Sequence, residues 1–281
     1  MRKPIVFYAF PTLALSLVLL QGCIFSGGSS QVATFVPESS GTAAADPSEK
    51  IEIPFMPSTG VSTVIDHMGY TVSYNSRYRI PDWVAYELLD SELYGDFDRA
   101  EKFVPDPEFK GRQGYDSDYR GSGWDRGHMA PSGDMKWSSQ VMKECFYLTN
   151  ICPQDHNLNS GLWNDLEKQV RREARYYKIV YVVTGPVIGR GKYGTIGENK
   201  VQVPDGFFKA LMAPRKDGKT YAAIGFYFPN TSSRGGLADF AMTVDDLEKM
   251  LGMDLFYSLD IDVQEAAESK MDPYGDWRIQ N

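Results

Sequence analysis

The sequence predicts an α+β domain, a mixed or antiparallel β-sheet with flanking helices. Three observations predict it. Strand-like runs alternate with turn clusters at Tyr70–Tyr74, Trp83–Leu88, Phe146–Thr149, Ile179–Thr184, Phe207–Ala213 and Tyr221–Phe228. Several of these runs are apolar throughout, which suits strands covered on both faces. Helical periodicity is clear in only two places, so a regular βαβ series is excluded. The composition fits one large domain or two small ones: 281 residues, 42% hydrophobic and 23% charged. Glycine (26) and proline (16) are frequent enough to supply many turns.

Arg2 and Lys3 precede an apolar run from Ile5 to Leu20 that carries Pro11. The run is shorter than the roughly 20 residues a membrane span needs, and its basic flank reads as a signal peptide. Leu20-Gln21-Gly22-Cys23 follows and resembles a bacterial lipoprotein box, in which Cys23 is acylated; plain secretion is the alternative. The box implies an exported lipoprotein of the cell envelope with a lipid anchor in a membrane. Ile24 stands where an Asp would signal inner-membrane retention, which favours the outer membrane in a cell that has one. Losing residues 1–22 removes two basic and no acidic side chains, so the net charge of −8 becomes −10. From Ser26 to Lys50 the chain is rich in Ser, Gly, Ala and Pro, too poor in apolar residues to offset its ordering entropy. Such a tether of about 25 residues reaches roughly 25–30 Å. Residues 31–36 are a weaker strand candidate within it. The expected organisation is a signal peptide (1–22), a flexible tether (23–55), the globular domain (56–262) and a C-terminal tail (263–281). No internal repeat is visible.

Within the domain the first clear helix runs from Leu158 to Tyr176, with Leu162, Leu166 and Val170 four apart on one face. The second follows Thr243, with Asp246 as capping partner, and stops at Gly252. Asp134–Glu144 is a third candidate. From Asp262 the chain is acidic and weakly patterned and reads as peripheral.

The candidate chemistry lies between Gly121 and Arg175. Three Cys exclude a disulfide-dense scaffold and any zinc site richer than a mixed His/Cys one. A nucleic-acid partner needs a local basic patch on so acidic a chain. Residues 166–178 supply one, with Lys168, Arg171, Arg172, Arg175 and Lys178 against Glu167 and Glu173, a net of +3. His128, beside Gly127 and a short apolar-Pro segment, is a candidate general base; a structural surface His is the alternative. Arg126 and His128 alternate with Gly127 and so point the same way from a strand. A guanidinium there suits a phosphate and keeps the imidazole neutral by lowering its pKa. On one continuous helix Asn159 and Glu167 stand two turns apart and about 80° around the axis. Asn159 reads alternatively as a helix N-cap. Glu167 and Arg171 are four apart and can pair, or form an ordinary solvated salt bridge.

Together these residues resemble the DNA/RNA non-specific endonucleases, the endonuclease G-like, sugar-non-specific nucleases of the ββα-metal (His-Me finger) type. Residues 125–131 read Asp-Arg-Gly-His-Met-Ala-Pro, the family's Asp-Arg-Gly-His-x-Ala-Pro signature. A second signature, Asn-x-x-Pro-Gln and then Leu-Asn-x-x-x-Trp-x-x-Leu-Glu, is matched by Asn150, Pro153, Gln154, Leu158, Asn159, Trp163, Leu166 and Glu167. Residues 83–88 and 183–186 also look like the family, and the likeness extends over Gly69 to Leu259. The resemblance implies an enzyme that hydrolyses phosphodiester bonds of DNA and RNA with little sequence preference, leaving 5′-phosphates. It makes His128 the general base and Asn159 the direct protein ligand of one Mg²⁺, with Mn²⁺ as the substitute metal. Glu167 would orient metal-bound water, Arg126 and Arg171 would stabilise phosphate charge, and Asn150 would support the metal site. Arg99 would be a further phosphate ligand, with Arg175 among the substrate contacts.

Two other classes compete: a non-catalytic nucleic-acid binder or uptake receptor on the same fold, and a hydrolase of another phosphodiester such as a nucleotide pyrophosphate. The oligomeric state is left open, a homodimer included. Cys145 and Cys152, seven residues apart, can pair in an oxidising compartment.

Overall fold

Alternation of large apolar side chains on long strands builds the centre of the molecule. The computed structural model describes residues 50–189 and 191–280. The expected signal peptide, Cys23, most of the tether and the strand candidate at 31–36 lie outside them.

The strands are β1 (Ser62–Asp66), β2 (Thr71–Asn75), β3 (Ile80–Leu89), β4 (Asp125–His128), β5 (Ile151–Gln154), β6 (Ile179–Val187), β7 (Thr195–Ile196), β8 (Val201–Gln202), β9 (Gly206–Pro214), β10 (Tyr221–Pro229) and β11 (Ala241–Met242). The helices are α1 (Asp116–Tyr119), α2 (Ser139–Glu144), α3 (His156–Leu158), α4 (Asn164–Tyr177), α5 (Val244–Leu251) and α6 (Ile261–Glu268). Seven strands form one sheet in the order β1-β2-β3-β6-β9-β10-β11, and every pairing in it is antiparallel. The α+β expectation therefore holds, in its antiparallel form.

Each face of this sheet is covered. Along β9, Phe207, Leu211 and Ala213 join one apolar core, while Phe208, Ala210 and Met212 join the other, as a period of two requires. The first core is roofed by α4 through Leu166, Val170 and Ala174. The second is roofed by α5 and α6 through Val244, Leu247 and Ala267. On the α4 side, β4 and β5 form a separate antiparallel ribbon that pairs His128 with Ile151. This ribbon followed by α3 and α4 is a ββα unit.

Four expectations change. The run Phe146–Thr149 is not a strand. Asn150 ties the carbonyls of Ala130 and Cys145, and Thr149 Oγ1 donates to Asp106, so the chain curls in a tight 3₁₀ turn (Leu148–Asn150) before β5. The helix predicted from Asp134 begins only at Ser139, because the Asp134 carboxylate is drawn inward to Tyr86 and Arg171. Order begins earlier than residue 56: Ile51 is buried in the second core and Phe55 bridges Asp254. The C-terminal segment is not peripheral. It forms α6, and Trp277 and Ile279 sit in the first core, with the Trp277 carbonyl accepting from Gln169 Nε2 at 2.7 Å.

Candidate active site

The ββα unit carries most of the chemistry-bearing side chains. Gly127 sits opposite Cys152 in the ribbon, and a Cβ there would run into the buried amide of Gln154. The glycine lets the ribbon close and leaves Arg126 and His128 on a common side. The His128 ring meets Phe146 edge-on at 4.8 Å between centroids and Phe103 at 5.3 Å. Its Nε2 is buried without a hydrogen-bond partner. Burial, helped by the charge of Arg99, pulls the imidazole down to about 3. The ring is therefore neutral throughout the physiological range.

Two guanidiniums flank this aromatic stack. Arg99 lies over Phe146 at 5.0 Å and donates Nη1 to Ser132 Oγ at 2.8 Å, a hydroxyl rather than a carboxylate. Arg126 lies over Phe103 at 5.6 Å and over Tyr119 at 5.5 Å, and its Nε donates to Asp116 Oδ1 at 2.6 Å. The alternation along the strand predicts that Arg126 lowers the His128 pKa. Arg99 does so instead, because Asp116 occupies the Arg126 guanidinium.

The helix expected from Leu158 to Tyr176 is interrupted. Asp155 caps its start by accepting from the Asn157 and Leu158 N–H groups. Asn159–Trp163 then form a wide π turn, with Gly161 at φ −102°, ψ −114°, before α4 begins. Asn159 is thus neither an N-cap nor in helical register with Glu167. Its Nδ2 donates to Asp125 Oδ2 at 2.9 Å, an oxygen shared with His156 Nδ1 at 2.9 Å. That bond fixes the Asn159 amide at the foot of β4 and leaves its carbonyl oxygen as a hard donor.

Glu167 and Arg171 are both half-buried on α4, but Arg171 does not pair with Glu167 as the four-residue spacing allows. Its Nη1 donates to Asp134 Oδ1 at 2.7 Å, and Asp134 accepts also from Tyr86 at 2.9 Å. The charge nearest in effect to Glu167 is Lys209, which no sequence argument selected. β9 places Lys209 on the same face as Phe207 and Leu211, fully buried, over the Trp163 ring at 4.6 Å and 3.5 Å from the Met129 carbonyl. Burial pushes the Glu167 carboxyl up and the Lys209 ammonium down, and their mutual attraction opposes both shifts. The available signal was a lone cation inside the apolar run 207–213.

Asn150 and Arg175 are the remaining candidates. Asn150 is completely buried. It bonds the Ala130 N–H, the Ala130 carbonyl and the Cys145 carbonyl, which clamps the segment after His128 and leaves no group for a substrate. Arg175 is exposed, one turn beyond Arg171 on α4. The basic helix is not one face: Arg171 points to Asp134, while Arg172 is bound to the Gln169 side chain. Cys145 and Cys152 are free, buried thiols, and burial holds Cys145 up at about 12.

A family model described as DNA/RNA non-specific endonuclease matches residues 48–261. The mitochondrial nuclease EXOG of Homo sapiens is 40% identical over 209 residues, covering 69% of this chain and 57% of that protein. Mitochondrial endonuclease G of Homo sapiens is 35% identical over 207 residues, 69% of each. Nuclease C1 of Cunninghamella echinulata var. echinulata is 35% identical over 212 residues, covering 70% of this chain and 84% of that one. The chain thus spans little more than half the length of the EXOG relatives it matches. Among solved structures, the EndoG/EndoGI complex, titled as a mechanism of EndoG inhibition, aligns with a TM-score of 0.65 at 31% identity. That alignment covers 71% of this chain and 88% of that one.

Proposed function

Because this chain belongs to the DNA/RNA non-specific endonuclease family, we propose that it is a magnesium-dependent endonuclease that hydrolyses the phosphodiester backbone of DNA and RNA, with little sequence preference. The observation that carries the reading is His128: a neutral imidazole with an unpartnered Nε2, set between two guanidiniums on the same ββα unit as a tethered Asn amide. A general base must be neutral before it acts, and burial keeps this one so.

In this reading His128 Nε2 takes the proton of the attacking water. Arg99 and Arg126 bind the non-bridging phosphate oxygens, and Arg171, aligned by Asp134, meets the charge that grows in the transition state. Departure of the 3′-oxygen leaves a 5′-phosphate. The Asn159 carbonyl, its amide nitrogen held by Asp125, is a hard oxygen donor of the kind Mg²⁺ accepts. The chemistry supplied by Mg²⁺ bound there is Lewis-acid stabilisation of charge on the phosphate. Glu167, whose ionised form the Lys209 charge favours, would orient metal-bound water. Contacts made to phosphates alone carry no sequence information, hence the weak preference. We place the protein in the cell envelope, as an exported lipoprotein held through Cys23.

The test is plasmid cleavage across a magnesium titration, with long DNA compared with a small chromogenic diester. His128→Ala is expected to lose about two to four powers of ten in turnover while its magnesium midpoint stays put. Asn159→Ala is expected to move the midpoint and turnover together. Full activity in chelator, or a preference for the small diester, would overturn the reading.

A further inference from the structure

On the sheet face away from His128, α5 and α6 bring three carboxylates together. One oxygen from each of Asp245, Glu248 and Glu268 lies within 4.8 Å of the other two. Asp245 and Glu248 are half-buried. Glu268 is only 3% exposed, and its Oε1 is buried with no hydrogen-bond partner. Asp254 adds a further negative field to Glu248 and Glu268. Compensation is slight: Lys249 directs its ammonium to Asp246 at 3.2 Å, and Glu248 Oε1 accepts one N–H, from Leu255 at 2.6 Å. Burial and mutual repulsion raise Glu268 to about 8 and Glu248 to about 7. An unpaired carboxylate in such a place is costly unless a proton or a cation joins it.

We propose that Asp245, Glu248 and Glu268 form a calcium site that clamps α5 to α6. Three atoms no more than 4.8 Å apart share a centre within about 2.8 Å of all of them, against Ca–O distances of about 2.3–2.6 Å and Mg–O distances of about 2.0–2.1 Å. Three carboxylate oxygens with no octahedral arrangement imposed on them suit calcium, whose irregular six to eight oxygen positions leave room for water, better than magnesium, which demands near-ideal octahedral geometry. The cluster holds no His or Cys, which disfavours zinc and other softer ions. The site lies over the second core, whereas the His128 stack belongs to the first. Its cation acts on the fold and not on the phosphodiester, so the proposal is independent of the nuclease reading.

The experiment is thermal unfolding of the whole protein, stripped with chelator and titrated with calcium chloride. It is run in an Asn159→Ala background, so that the active site contributes nothing. A rise in Tm of about 5–10 °C is expected at a hundred times the dissociation constant. Glu268→Gln should abolish the rise. Asp245→Asn, a milder change at a half-exposed position, should weaken the calcium midpoint at least about tenfold while the protein stays folded. Equilibrium dialysis should count one bound calcium in the background protein and none after Glu268→Gln. Absence of a calcium-dependent rise, or a rise that both substitutions leave unchanged, overturns the site. An equal rise with magnesium at the same concentration overturns its assignment to calcium.

Discussion

At the scale of single residues, the site divides into groups that are charged and groups held neutral. His128 is neutral because it is buried beside Arg99, so acidification towards pH 6 does not charge it. Glu167 is the group on which acidification acts. Burial raises its pKa above the ordinary carboxylate range, and Lys209 limits the rise. If ionised Glu167 is required, kcat/KM falls as the pH drops through that raised pKa, at a pH above the usual Glu value. Glu167→Gln should lower activity and remove this acid limb. Lys209→Met should shift the limb to still higher pH, because the cation that favours ionised Glu167 is gone, with KM changing less than kcat. A pH profile of each variant checks this. An acid limb at the same pH in wild type and Glu167→Gln would transfer the ionisation to another group. Lys209 touches no substrate in this scheme. It is a positioning residue, acting through Glu167.

At the scale of elements, two devices shape the ββα unit. The wide turn at Asn159–Trp163 offsets Asn159 from α4, so its amide meets Asp125 at the start of β4. The C-terminal segment does the other work. Gln169 on α4 donates to the Trp277 carbonyl, Tyr177 donates to the Asp276 carbonyl, and Glu173 pairs with Arg278. The indole of Trp277 is buried with Tyr177 against it at 5.8 Å. Removing it leaves a large cavity under the helix that carries Glu167 and Arg171. Trp277→Ala is expected to cost about 3–5 kcal/mol in chemical denaturation. A loss below about 1 kcal/mol would mean that the segment is peripheral after all.

At the scale of the whole molecule, the cations proposed to meet phosphate belong to a strongly acidic chain. The described ion pairs of Arg126 and Arg171 each leave part of a guanidinium fork for phosphate, and Arg99 has only a hydroxyl partner among the described residues. In the proposed exported lipoprotein, the N-terminal region would set where this site works. Acylation of Cys23, as proposed, would hold the domain at a membrane. Cys23→Ser should move the protein from the membrane fraction to the soluble one with its nuclease activity unchanged. Unaltered partition of the variant would sink the lipoprotein assignment.

Much of this was legible in the sequence because it is local. Residue order alone carried the Asp125–Pro131 and Asn150–Glu167 motifs, the strands β2, β3, β6, β9 and β10, and the helix α5 with its Thr243 cap and Gly252 stop. Turn chemistry, capping and apolar periodicity act within a few residues, so a chain writes them down directly. Pairings across the fold have no such record. That Arg171 turns to Asp134 and not to Glu167, that Arg99 and not Arg126 governs His128, and that Asn150 is a clamp all depend on residues 20 to 37 positions apart or more. Lys209 and Trp277 depend on longer separations still. Such contacts are decided by which groups share a desolvated space, where an unpaired charge or amide is costly and the nearest partner wins. Only the packed sheet, with α4 on one face and α5 and α6 on the other, defines those spaces.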